Sequence, residues 1–130
     1  MPHFQIDYSP NLEDRLDIPG LCRALRDSAV ETGVFPKAGI RVRATACNHV
    51  VMADGDPQHA FLDLSVRLRG GRDLETRKRA VAALFETAEN YCADVMESSS
   101  FMLSIEMRDI DPELSPKASS IRKYLKEERV

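Results

Sequence analysis

The chain has no tryptophan, and only 6% of its 130 residues are aromatic, so its core must be built from aliphatic side chains. It has no apolar run approaching the length of a membrane-spanning helix, which excludes a helical span from the expectations. The N-terminus has neither the basic start nor the apolar stretch of a secretory signal, so the expected location is cytoplasmic. Excess positive charge is also missing: 18 Lys and Arg stand against 21 Asp and Glu, a net of -3. Nothing in that balance recommends a nucleic-acid partner.

Cysteine is sparse. Cys22, Cys47 and Cys92 form no CxxC pair and read as isolated core or half-buried thiols. His3, His49 and His59 show no metal-ligand spacing, and no metal is expected. There is no GxSxG nucleophile motif. Gly70 and Gly71 precede a helix without forming a phosphate or dinucleotide loop. No cofactor is implied.

What is present is a rhythm that occurs twice. PHFQIDY alternates, with Phe4, Ile6 and Tyr8 on one face and His3, Gln5 and Asp7 on the other. A helix should start near Asp17 and Pro19, run along Leu21, Leu25, Ala29 and Thr32, and stop at Gly33. IRVRATACNHVVM reads as the next strand, and DGDPQ interrupts it. The order then repeats. AFLDLSVRL is a strand with Leu62, Leu64, Val66 and Leu68 on one face. One long helix should run from near Asp73 to the SSS segment, with Leu74, Val81, Leu84, Phe85, Ala88, Cys92, Val95 and Met96 as its stripe. FMLSIEMRDI is the last strand, and SIRKYLKEE a short amphipathic helix, with Ile121, Tyr124 and Leu125 beside Glu127 and Glu128.

Two βαβ units of this kind make an α/β two-layer sandwich: a four-stranded mixed sheet with two helices on one face. A single domain, 1–130, is expected, with halves of about 2–55 and 60–112 and a C-terminal tail. The uncovered sheet face, which includes Phe61, Met102 and either Val50 or Val51, predicts an oligomer.

Proline directly after Met1 is tolerated at a strand start. Once Met1 is removed, it is also a free secondary amine. PHF at 2–4, DIPGL at 17–21, TGVFPKAGIR at 32–41, MADG at 52–55, GGRDLETR at 70–77 and MES at 96–98 carry a resemblance across nearly the whole chain. In order and spacing they resemble the 5-carboxymethyl-2-hydroxymuconate isomerase family of the tautomerase superfamily.

The resemblance implies a homotrimer of internally duplicated subunits that acts in aromatic-compound (homoprotocatechuate) degradation without a cofactor. It places the catalytic base on Pro2 and catalytic, substrate-binding arginines at Arg41 and Arg72. Arg43 is a further substrate-binding position, and Phe4 a core or pocket-wall residue. The implied substrate is a small anionic dienol. Retained Met1 would turn the Pro2 nitrogen into a tertiary amide and mask the base. Two other readings stay open at this point. One is a broader tautomerase or decarboxylase of small enol acids. The other is a non-catalytic trimeric binding or assembly module.

Overall fold

The computed structural model describes residues 2–126. Four strands, β1 (His3–Tyr8), β2 (Arg41–Ala46), β3 (Ala60–Arg69) and β4 (Phe101–Ile110), form one sheet in the order β2-β1-β3-β4. β1 pairs parallel with β2 and β3 parallel with β4, while the central β1–β3 pair is antiparallel. Each parallel pair needs a crossover, and helices supply it. Helix α1 (Ile18–Thr32) links β1 to β2, and α2 (Leu74–Tyr91) with α3 (Ala93–Ser98) links β3 to β4. The two halves are thus the same βαβ unit, joined through their first strands.

Alternation decides the layers. Phe4, Ile6, Leu62, Leu64 and Val66 have no solvent exposure, because the central strands turn them under the helices. Leu21, Leu25 and Ala29 of α1 and Ala80, Leu84 and Ala88 of α2 meet them from above. Each fully buried Leu, Ile or Phe contributes about 1.5–3 kcal/mol, which makes this layer the main source of stability.

Local signals fix the helix ends. The Asp17 side chain accepts from the Gly20 N–H at 3.1 Å, and Gly33 closes α1 as its C-cap. The Asp73 side chain accepts from the Thr76 N–H at 2.8 Å and caps α2.

Three expectations need correction. The second strand ends at Ala46 instead of running on to Met52. The Cys47 N–H bonds to the Tyr8 carbonyl at 2.9 Å, at the point where β1 itself runs out, so residues beyond it have no partner strand. The long second helix is broken at Cys92, whose backbone (φ -96, ψ 10) has left helical geometry. Leu74 and Met96, at the two ends of the expected stripe, are 55% and 46% exposed instead of buried. The C-terminal helix is only a 3-10 turn, Ile121–Tyr124, and Glu127 and Glu128 lie outside the described residues.

Candidate active site

The helix-free face of the sheet carries its polar side chains in rows set by the register. At the end where β1 begins, Arg41, His3, Arg67 and Arg108 stand side by side on the four strands. The next row is Arg43, Gln5, Ser65 and Glu106, and the one after it Thr45, Asp7, Asp63 and Ser104. Positive charge is therefore gathered at the Pro2 end of the sheet. A field of that sign draws a small anion toward this end.

Pro2 itself is fully buried, and its carbonyl accepts the Arg41 backbone N–H at 3.3 Å. Its ring lies on the core side with Phe4, and His3 points the other way. Phe4 packs edge-on against Phe35 with ring centroids 5.2 Å apart. It is an interior residue of the core, two positions from the proline nitrogen.

Arg43 is occupied locally. Its Nε donates to Gln5 Oε1 at 2.6 Å, and a terminal nitrogen lies 3.2 Å from His3 Nδ1. Arginine has no acceptor, so Nδ1 must be the unprotonated ring nitrogen and neutral His3 carries its proton on Nε2. Burial, followed by the charges of Arg41, Arg67 and Arg43, pushes the His3 pKa down to about 4. The ring is neutral at physiological pH and acts as an acceptor that holds Arg43.

Arg72 reaches the same end from the turn between β3 and α2. Gly71, at φ +118, is in a conformation that side chains disfavour, and this turn aims Arg72 back across the loop from α1. Its Nε and one terminal nitrogen both donate to the Val34 carbonyl, at 3.1 and 2.9 Å, and the other terminal nitrogen donates to the Arg69 carbonyl at 2.9 Å. Three of its five N–H groups are spent on main chain. Arg72 thus anchors the loop that carries Phe35, and through Phe35 the packing around Phe4.

Arg41 is exposed, and its Nε donates to the Gly39 carbonyl at 3.1 Å. It borders a cavity of about 370 Å³ beneath the C-terminal tail, with Pro36, Ala38 and Gly39 on the Arg41 side and Lys117 and Arg122 on the tail side. The sequence marked this tail only as a short amphipathic helix and did not reveal the wall. The available signal was the run of basic residues after Pro116, Lys117 and Arg122 among them, too weak alone to mark a site.

At the opposite end of the sheet, His59 bridges Asp54 Oδ1 (2.7 Å from Nε2) and Ser100 Oγ (2.6 Å from Nδ1). Asn11 Nδ2 also donates to the His59 carbonyl at 2.9 Å. These bonds tie the loop after residue 53 to the start of β4. Among the described residues no group of His, Cys, Asp and Glu is arranged to hold a metal ion. No helix among them is long and apolar enough to cross a membrane.

A duplicated βαβ sheet, headed by a proline strand and cationic at that end, is the architecture of a tautomerase-superfamily isomerase. The family model for 5-carboxymethyl-2-hydroxymuconate isomerase matches residues 2–125. The 5-carboxymethyl-2-hydroxymuconate Delta-isomerase of Escherichia coli is 35% identical over 126 residues, which cover 97% of this chain and 100% of that protein. A crystal structure of 5-carboxymethyl-2-hydroxymuconate delta-isomerase superposes with a TM-score of 0.89 at 26% identity, covering 99% of this chain and 96% of the other. That of a 5-carboxymethyl-2-hydroxymuconate isomerase from Deinococcus radiodurans R1 gives 0.87 at 30% identity, covering 96% and 95%. The chain belongs to the 5-carboxymethyl-2-hydroxymuconate isomerase family, and its activity is that of a tautomerase-type isomerase.

Proposed function

We propose that the chain, once Met1 is removed, converts 5-carboxymethyl-2-hydroxymuconate to its oxo tautomer with the Pro2 amine as proton carrier. The observation that carries this reading is the position of Pro2. It heads a central strand, its carbonyl is bonded to the Arg41 N–H, and Arg41, His3 and Arg67 lie in the next row. Met1 lies outside the described residues, so the chemistry is assigned to the processed chain.

The reaction is redox-neutral. The O–H bond at C2 breaks and a C–H bond forms at C5. The C2=C3 and C4=C5 double bonds become C2=O and C3=C4. One base that takes the hydroxyl proton and returns it at C5 suffices, and no cofactor enters the balance. A free α-amine has a pKa of about 7.7–8.0, and a secondary amine lies higher. Burial and the positive charge gathered at the Pro2 end of the sheet both disfavour its protonated form and favour the neutral base. Arg41 and Arg72 hold substrate carboxylates, and one of them stabilises the negative charge that develops at the C2 oxygen. Arg43, fixed by Gln5 and His3, adds positive potential along the entry face.

The working form is a homotrimer in the cytoplasm. The uncovered sheet face, with Met102 61% exposed, and the apolar groove of Leu74, Val81, Phe85, Ile105 and Met107 between α2 and β4 support assembly. The small anionic substrate is the partner; no nucleic acid or membrane is involved.

The test is an assay of protein shown by intact mass to begin at Pro2, with 5-carboxymethyl-2-hydroxymuconate and 2-hydroxymuconate as substrates. Ketonisation with preference for the carboxymethyl compound is expected. Equal rates would favour a broader tautomerase, and inactivity with both would leave a binding or assembly module.

A further inference from the structure

The muconate skeleton carries two terminal carboxylates, and the carboxymethyl arm adds a third. A trianion leaving water needs a counter-charge for each carboxylate. The arginines of the site are unequally free to supply one. Arg72 has three N–H groups on the Val34 and Arg69 carbonyls, and Arg43 is held by Gln5 and His3. Among the described residues Arg41 gives only its Nε to a protein acceptor, the Gly39 carbonyl, which leaves its two terminal nitrogens for a ligand.

Those nitrogens belong to the residue that borders the cavity beneath the tail. Its volume of about 370 Å³ falls within the range of small-molecule sites. Lys117 and Arg122 line it together with Arg41, and none of its described lining residues is acidic. Neither Lys117 nor Arg122 forms a salt bridge among the described residues. Three cations around one cavity, with no carboxylate among the described lining residues, repel one another and favour the entry of an anion. Arg41, which lines the cavity, is tied to the strand of the proposed base, its backbone N–H bonded to the Pro2 carbonyl at 3.3 Å.

We propose that Lys117 and Arg122, with Arg41, form the subsite for the carboxymethyl carboxylate of the tricarboxylate substrate, so that the C-terminal tail sets the preference for the carboxymethyl compound. This rests on the isomerase reading above. The tail residues bind substrate and take no part in the proton transfer.

The test compares the Lys117→Ala/Arg122→Ala double variant with the parent, both full-length and starting at Pro2. For 5-carboxymethyl-2-hydroxymuconate the KM rises about tenfold, the scale of one charge-assisted contact, while kcat holds. Kinetics with 2-hydroxymuconate change little. Lys117→Arg/Arg122→Lys, which keeps both charges, restores the KM. An unchanged KM, or an equal rise for both substrates, overturns the subsite. Calorimetric titration with propane-1,2,3-tricarboxylate and with glutarate separates the two ideas. If the parent turns over neither muconate, the isomerase reading fails. The subsite is then upheld by selective loss of tricarboxylate binding in the double variant and overturned by its absence.

Discussion

The guanidinium of Arg72 grips the Val34 carbonyl with two N–H donors, at 3.1 and 2.9 Å, across the gap between the two halves of the chain. This one residue joins the turn after β3 to the loop after α1. A charged donor on a carbonyl contributes about 1.5–3 kcal/mol, and the pairing needs a planar fork. Arg72→Lys keeps the charge but not the fork. It should lower the urea midpoint at constant m-value, and it should reduce kcat/KM through a displaced Val34–Phe35 segment and a weakened hold on a substrate carboxylate. Arg72→Ala should lower both further. An Arg72→Ala protein with the parental midpoint would show that the grip contributes nothing to stability.

The layers of the fold were legible because alternation is a two-residue code that the buried strands obey. Phe4, Ile6, Leu62, Leu64 and Val66 have the burial their spacing requires. The end of β2 was not, because VVM after residue 49 has good strand composition, and only the length of its partner β1 cuts the pairing at Ala46. The break at Cys92 was equally hidden, since nothing in ENYCADV is a helix breaker. At the site, Pro2, Arg41 and Arg72 could be picked out only through family resemblance, since each type is ordinary at its position. Spacing could not reveal that Arg72 spends its donors on backbone, or that the tail returns to Arg41, because both depend on contacts remote in sequence.

Retention of Met1 should behave as a chemical knockout. An acylated proline nitrogen has no basic lone pair, so the unprocessed form should lose the contribution of general base catalysis, about 10²–10⁴-fold in kcat/KM. Pro2→Ala, processed to a primary amine, should retain part of the rate and assemble normally. Intact mass, steady-state kinetics and sedimentation on the same samples check this. Undiminished turnover by Met1-bearing protein would remove Pro2 from the mechanism.

His3 should make the fold sensitive to mild acid. Its folded pKa is pushed down to about 4 from an unfolded value of 6.5. Above pH 6.5 the ring is neutral in both states and costs nothing. Between 6.5 and 4 the unfolded chain binds a proton that the folded chain refuses, so stability falls as pH falls. Below about 4 both states are protonated and this loss is complete. The exposed carboxyls of Asp54 and Asp73, held low by their hydrogen bonds, act in a more acidic window, below 3.8. Urea midpoints for the parent and His3→Gln at pH 7, 5.5 and 4.5 should therefore diverge on descent, the variant losing less. Parallel curves would remove His3 as the cause.

Gly20 stands where the two helices are tied together, and its missing side chain is the reason the tie fits. Tyr91 on α2 donates its hydroxyl to the Asp17 carbonyl at 2.8 Å, while the Asp17 side chain caps the Gly20 N–H. A Cβ on Gly20 would collide with both the Tyr91 hydroxyl and the Asp17 carboxylate. Helix propensity alone favours Ala over Gly by about 1 kcal/mol in a helix interior. Gly20→Ala should nevertheless destabilise the protein, because it displaces the cap and the inter-helix bond together. Tyr91→Phe alone should cost about 0.5–1.5 kcal/mol for the lost hydrogen bond. In the double variant the hydroxyl that obstructs the new methyl is gone, so the combined loss should be smaller than the sum of the single losses. Thermal or urea unfolding of the four proteins closes this cycle. Strict additivity would mean that Gly20 and Tyr91 act independently, and a more stable Gly20→Ala protein would mean that the contact relaxes without cost.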